Sequence, residues 1–203
     1  MDAKDVRILE RETVYQGYFR VDRYRLQHRR FAGDWSETQV REVFERGHAA
    51  AVLPYDPQRD EVVLIEQFRI GAYAAAEAPW QLETVAGIIE AGEDAATVAR
   101  REGLEEAGLE IGTLTPISKF LVSQGAVTET VELFCGRVDA AGAGGVHGLD
   151  HEGEDIRVRI LPFEALPELL ETGAVANAVA LIALQWLLLN HDRLRRDWLG
   201  ESP

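Results

Sequence analysis

The chain of 203 residues is poor in several things at once, and each shortage closes off a class of protein. It has a single cysteine, Cys135, so no disulfide can form within one chain, and a reducing cytoplasm is the expected setting. Cys135 lies in the apolar run VELFCGRV, where a thiol reads as a small buried hydrophobe. Positive charge is scarce: 21 Lys and Arg stand against 35 Asp and Glu, a net charge of −14. General nucleic-acid binding, which needs a basic surface facing phosphates, is thereby excluded. No apolar run is long enough to span a bilayer. The longest, Ala178–Leu189, is interrupted by Gln185 and reads as a core helix. The first residues, MDAKDVRILE, contain no apolar stretch, so a secretory signal is not expected. There is no internal repeat. The acidity would also repel a free anionic substrate, so a nucleotide ligand requires a divalent cation and a few well-placed arginines.

What remains is the composition of a globular protein, 46% hydrophobic and 28% charged, and a length that suits one domain with a small extension. Residues 14–46, rich in Tyr, Phe, Val and Arg and broken at Ala32-Gly33-Asp34, predict strand–turn–strand. Arg20, Arg23, Arg25, Arg29 and Arg30 make this segment locally basic. So small a sheet is not stable alone and is expected to pack on the main domain or on a second subunit. From His48 the character changes. AAAVLPYD and EVVLIEQFR are apolar strands around a turn at Pro57–Asp60, and Trp80–Ile89 reads as a further strand. Strands are also predicted at Ile117–Val122, Thr130–Val138 and Asp155–Leu161, with a flexible AAGAGG connection at 140–145. A helix is predicted near 164–171. A long closing helix starts at Asn177, with Val179, Ile182, Trp186 and Leu189 at helical spacing. Strands packed between helices give an α/β sandwich.

The segment Gly87–Leu109, GIIEAGEDAATVARREGLEEAGL, carries the chemistry. Asp94 is placed to cap a helix over Ala95–Ala107, and Gly108 to end it. On that helix Glu102 and Glu106 are four residues apart and Glu105 lies beside them, all within an arc of about 100°. Carboxylates so close raise one another's pKa unless a cation sits among them, and oxygen-only ligation suits Mg²⁺ or Mn²⁺. A second acidic group, Glu152, Glu154 and Asp155 in HGLDHEGEDIRV, precedes a strand. From the residues alone it reads either as a catalytic loop or as an exposed acidic turn.

At these positions the chain resembles a known family. Gly87, Glu93, Arg101, Glu102, Glu105, Glu106, Gly108 and Leu109 fit the Nudix box, G-x5-E-x7-R-E-U-x-E-E-x-G-U, where U is a bulky aliphatic. One position departs: Gly103 occupies the first U, which in a helix interior costs about 1 kcal/mol relative to Ala. With Ala96, Ala99 and Ala107 it forms a stripe of small residues, read here as close packing of the helix on the sheet. Beyond the box, REVFERGHAAAVLPYDPQRDEVVLIEQFRIGAY, HGLDHEGEDIRV and ALIALQWLLL are similar to the bacterial ADP-ribose pyrophosphatases of the Nudix superfamily.

That resemblance implies an α/β fold: a Nudix α/β/α sandwich with a mixed sheet, plus a small N-terminal antiparallel β-sheet. Residues 1–46 would form that N-terminal sheet, exchanged across a homodimer, and residues 47–203 the hydrolase domain. The family's metal ligands fall on the Ala86 carbonyl, Glu102, Glu106 and Glu154, with Glu105 contributing to the cluster, and its catalytic base on Glu152. Arg41 and Arg46 match arginines near the substrate, and Arg69 matches one facing a phosphate. Singly, each is equally a surface salt-bridge partner. Tyr18 and Phe19 match an aromatic pair that reaches the adenine from the other subunit, although a hydrophobic sheet contact explains them as well. Ile88, Ser123, Gln124, Gly125 and Glu129 match the rim of the terminal-ribose site, where Gln124-Gly125 replaces the family's common Pro-Gly. Arg101 is expected to orient a glutamate through a salt bridge, and Glu93 to complete the loop–helix structure or an outer metal shell. The implied activity is Mg²⁺-dependent hydrolysis of ADP-ribose to AMP and ribose 5-phosphate in the cytoplasm, with Mn²⁺ as a possible substitute and neither nucleic acid nor membrane as a partner. Two other readings keep the fold: hydrolysis of another nucleoside diphosphate sugar such as GDP-mannose, or a non-catalytic regulatory module that binds ADP-ribose. Modules of the second kind typically lack some box carboxylates, and this chain keeps them all.

Overall fold

The computed structural model describes residues 1–149, 151 and 153–200; Glu152 therefore lies outside the described residues. The chain divides into two compact units, Met1–His48 with Leu121–Thr130, and Ala49–Phe120 with Val131–Pro203.

In the first unit, β1 (Val6–Gln16), β2 (Arg20–His28) and β3 (Gln39–Glu45) form an antiparallel sheet in that order. β1 begins well before residue 14, where the sequence signal starts. All of its residues are exposed, so no alternation of apolar and polar side chains announces it. Charge fills that role: Arg23 pairs across strands with Glu12 at 3.2 Å and Glu42 at 2.9 Å, and Arg25 with Glu10 at 3.0 Å. The arginines of β2 are thus matched by acids on the flanking strands, Arg20 by Glu45 of β3 among them. One carboxylate is buried: Asp22, 2% exposed, accepts from Arg11 at 2.6 Å, Thr13 Oγ1 at 2.8 Å and Arg20 at 3.2 Å. The Arg11 guanidinium and the Thr13 hydroxyl hold that carboxyl below its usual range. The 121–130 segment joins this unit through β3, where the Phe44 N–H donates to the Ala126 carbonyl at 2.7 Å and the Thr128 N–H to the Phe44 carbonyl at 3.1 Å.

The second unit is built on a mixed sheet. Its strands are β4 (Ala49–Asp56), β5 (Glu61–Phe68), β6 (Trp80–Glu83), β7 (Val85–Ile88), β8 (Leu114–Leu121), β9 (Thr130–Arg137), β10 (Val146–His147) and β11 (Ile156–Pro162). They run β10-β11-β5-β4-β9-β8, with β4 and β9 parallel. β4 and β5 pair directly only near their turn. Further along, β6 pairs with β5 and β7 with β4. The stretch read as one strand over Trp80–Ile89 is therefore two, switching partner at buried Thr84.

Alternation along β4 and β5 sends Leu53, Tyr55, Val62 and Leu64 to one face and Val52, Val63 and Ile65 to the other. The first face is covered by α4 (Ala178–Leu199), whose Asn177 cap accepts from the Ala180 N–H at 2.9 Å and donates to the Leu82 carbonyl at 2.8 Å. The second is covered by α2 (Ala95–Ala107), capped by Asp94 through the Thr97 N–H and ended by Gly108 at φ 65°. Two short helices, α1 (Ile70–Ala74) and α3 (Leu166–Glu171), complete the unit. In α4 the buried side chains are Ala180, Ala183, Leu184, Leu187, Leu194 and Trp198, whereas Leu189 is 85% exposed. The first turns of α4 are apolar all round, so periodicity alone could not choose the face. Cys135 is fully buried, and that burial raises its thiol pKa.

Candidate active site

The box helix α2 meets β7 at glycine. A Cβ on Gly87 would fall inside the side chain of Glu102, colliding with Oε1, Cδ and Cγ. Gly87 is therefore required for close approach: it lets the Glu102 carboxylate lie against the β7 backbone. One turn on, Glu106 is 3% exposed, and its Oε2 accepts from the Ala86 N–H at 3.0 Å. Burial pushes the Glu106 carboxyl up to about 8; the Ala86 hydrogen bond opposes this, and the charges of Glu102 and Glu154 add to it. Burial also raises Glu102, against the pull of Arg101.

Arg101 lies among the acids. It donates to Glu102 at 2.8 Å and Glu105 at 3.0 Å and stands 3.6 Å from Glu93. The expectation of an orienting salt bridge corresponds to this arrangement. Glu93 closes the turn before the helix, accepting from the Glu90 N–H at 3.1 Å. The second acidic loop is tied to the helix through backbone. The Gly148 N–H donates to the Glu105 carbonyl at 3.3 Å, and the Leu149 N–H donates to Glu154 Oε2 at 3.0 Å. Gly148, at φ 104°, leaves room for Glu154, since a Cβ there would meet Glu154 Cβ at 2.6 Å.

Arg69, on the extended backbone just past β5, is held by Glu83 of β6 through Nε at 3.0 Å and Nη2 at 2.7 Å, and it feels the charges of Glu106 and Glu154. Ile88 ends β7 opposite Ala49 and is 41% exposed. The structure thus brings Ala86, Glu102, Glu106, Glu154 and Arg69 to one end of the second unit, with Glu105 beside them on Arg101. Among the described residues no three acidic, His or Cys side chains converge tightly enough to enclose an ion. The donors nonetheless fit a hard divalent cation: they are all oxygens, Glu106 is buried with no ion-pair partner among the described residues, and a glycine cradle receives Glu102. A separate cleft of about 460 Å³, lined by Asp56, Glu110, Thr113 and Arg137 among others, contains none of the predicted site residues.

The remaining predicted residues belong to the first unit. Tyr18, 86% exposed at the β1–β2 turn, packs edge-on to Phe19 with ring centroids 4.7 Å apart. Arg46 stands over the Phe19 ring at 5.7 Å and 3.3 Å from Glu129, so these four form one group. Arg41 is not part of it, since its guanidinium bonds to the Val40 carbonyl and to Gln39 on its own strand. Ser123, Gln124 and Gly125 lie in an exposed turn, closed by the Ser123 carbonyl accepting from Val127 at 2.9 Å. Sequence reasoning missed Glu83, which anchors Arg69, and the Gly148-Leu149 backbone, which anchors Glu154. No local pattern marks Glu83, because its role follows from pairing between β5 and β6.

Comparison with known proteins decides the family. A NUDIX domain model matches residues 45–184. The chain belongs to the Nudix family. Among curated Nudix relatives, the ADP-ribose pyrophosphatase of Escherichia coli (strain K12) is 52% identical over 194 residues, covering 96% of this chain and 93% of that protein. The ADP-ribose pyrophosphatase of Haemophilus influenzae is 42% identical over 198 residues, covering 96% and 91%. A GDP-mannose pyrophosphatase of Shigella flexneri is 34% identical over 156 residues, covering 74% of this chain and 78% of that protein. The crystal structure of an ADP compounds hydrolase superposes with a TM-score of 0.72 over the whole of both chains at 21% identity, which shows a shared fold. No helix among the described residues is long and apolar enough to cross a membrane.

Proposed function

We propose that the protein hydrolyses the pyrophosphate bond of ADP-ribose, releasing AMP and ribose 5-phosphate, with Mg²⁺ as its metal and Mn²⁺ as a possible substitute. The observation that carries this reading is 52% identity, over nearly the whole of both chains, with an enzyme of that activity. The Ala86 carbonyl, Glu102, Glu105, Glu106 and Glu154 would hold the ion, which neutralises charge on the diphosphate and on the leaving phosphate when bound. The chain's own contribution is positioning. Gly87 fixes Glu102, the Ala86 N–H fixes Glu106, the Leu149 N–H fixes Glu154, and Arg101 holds Glu105. Glu152 takes the proton of the attacking water. Arg69 turns donors to a phosphate, a planar fork suited to two oxygens.

Tyr18 and Phe19 stack on adenine in a partner subunit, with Arg41 and Arg46 nearby. Ile88, Ser123, Gln124, Gly125 and Glu129 line the terminal ribose. The exposure of Tyr18 and its packing on Phe19 support the adenine role. The same reading makes the protein a cytoplasmic homodimer that exchanges residues 1–46 and carries its hydrolase domain in residues 47–203.

The test is turnover of ADP-ribose in excess Mg²⁺, with and without EDTA, resolving products by chromatography for wild type and Glu106→Gln, with GDP-mannose as competitor. Metal-dependent AMP and ribose 5-phosphate, lost in the variant, are expected. Faster cleavage of GDP-mannose would overturn the substrate. Tight ADP-ribose binding without turnover would make the chain a binding module.

A further inference from the structure

Among the described residues, Gln67 Nε2 is the one buried side-chain nitrogen or oxygen atom without a hydrogen-bond partner. Gln67 is 6% exposed and lies on β5. An amide left unpaired in the interior destabilises a fold. Its place in the sheet supplies a reason for keeping it. Gln67 follows Val63 and Ile65 at every second position, so it sits on the α2 face, between Ile65 and Arg69. Across the ladder, Ile65 opposes Glu83 and Gln67 opposes Gln81, and the Arg69 N–H donates to the Pro79 carbonyl. The Arg69–Glu83 ion pair therefore runs diagonally, from the position beyond Gln67 on β5 to the position beyond Gln81 on β6. It lies across the Gln67–Gln81 rung. The Gln81 amide nitrogen is already committed to the Ala78 carbonyl at 2.6 Å, leaving the Gln67 amide as the uncommitted donor on this rung.

We infer that Gln67 is a diphosphate-binding residue covered by the Arg69–Glu83 ion pair: a substrate phosphate that draws Arg69 off Glu83 uncovers the Gln67 amide, which donates to the same phosphate. The inference rests on the diphosphate-hydrolase reading, and it adds a neutral donor beside the arginine. In a site crowded with carboxylates, an N–H donor that carries no charge binds phosphate without forming a competing ion pair with Glu102, Glu106 or Glu154 when the site is empty. The ion pair would also shield the amide from water until substrate arrives.

The experiment compares wild type with Gln67→Met, an apolar side chain of similar length, by three measurements: thermal unfolding without ligand, calorimetric binding of inorganic pyrophosphate in Mg²⁺, and kcat/KM for ADP-ribose. The expected result is an unfolding temperature equal to or above wild type, with pyrophosphate affinity and kcat/KM each lowered about tenfold or more, the loss of one hydrogen bond to a charged oxygen. A raised unfolding temperature with binding and kinetics unchanged would make the amide a packing defect and overturn the assignment. So would a lowered unfolding temperature with unchanged pyrophosphate affinity. If wild type fails to turn over ADP-ribose while Gln67→Met still loses pyrophosphate affinity, the substrate reading falls and the Gln67 assignment stands.

Discussion

Glu106 concentrates the conflict between folding and chemistry in one side chain. Its carboxyl titrates near 8 in the folded protein against an ordinary value of 4.5. Between those values the metal-free folded state holds a proton that the unfolded chain has released. Stability therefore falls as pH rises through this window, and below it the effect disappears. At about 1.4 kcal/mol per pH unit the penalty at pH 8 is on the order of 4 kcal/mol. Metal-free Glu106→Gln should accordingly melt higher than wild type at pH 8, with the difference shrinking to near zero at about pH 4. Calorimetry in EDTA at the two pH values checks this, and a pH-independent difference would contradict it. Gly87 makes the complementary point about space. Gly87→Ala must displace the Glu102 carboxylate, and a shift of about 1 Å at such a site costs roughly 100-fold in rate. The expected outcome is a folded protein by circular dichroism with kcat reduced about that much; wild-type activity would show that Glu102 has room the packing denies it.

At the scale of elements, Gly103 shows how a departure from the family pattern is accommodated. A Cβ there would stand 2.5 Å from Ile111 Cγ1, and one on Gly136 of β9 would stand 2.6 Å from Ile111 Cγ2. Ile111 is thus a knob seated between two glycines, one on α2 and one on the sheet, in the short segment that returns from the helix. The small-residue stripe does bring α2 close to its neighbours, but the neighbour at Gly103 is this segment and not a strand. Gly103→Ala gains about 1 kcal/mol of helix propensity and loses about 1–3 kcal/mol to overpacking. Urea unfolding should find it net destabilised, and markedly less so in an Ile111→Val background. Equal effects in both backgrounds would show that Ile111 is not the obstacle.

For the molecule as a whole, the N-terminal unit is distinguished by what it leaves exposed. Its first strand is exposed along its length, with Ile8, Leu9 and Tyr15 each more than half exposed. A three-stranded sheet with such a surface suits burial against another chain. On the proposed function, removal of residues 1–45 converts the proposed homodimer to a monomer and raises KM for ADP-ribose, because Tyr18 and Phe19 go with it. Sedimentation velocity with steady-state kinetics tests both, and a monomer of unchanged KM would detach this unit from substrate binding.

Taken by itself, the sequence determined whatever is written in local spacing. Asp94, the alternation of helix positions and Gly108 delimit α2, and Glu102, Glu105 and Glu106 share one face because 3.6 residues make a turn. Asn177 announced α4 for the same reason, and the Nudix box was legible as a linear pattern. The tertiary structure alone decided what depends on pairing between distant segments. It placed Glu83 on Arg69, the Gly148 and Leu149 amides on Glu105 and Glu154, and Ile111 between Gly103 and Gly136, and it divided Trp80–Ile89 between two partner strands. None of those contacts follows from a periodic spacing along the chain: sheet register sets Glu83 beside Arg69 and divides Trp80–Ile89, while the folding of loops onto α2 and onto themselves makes the others.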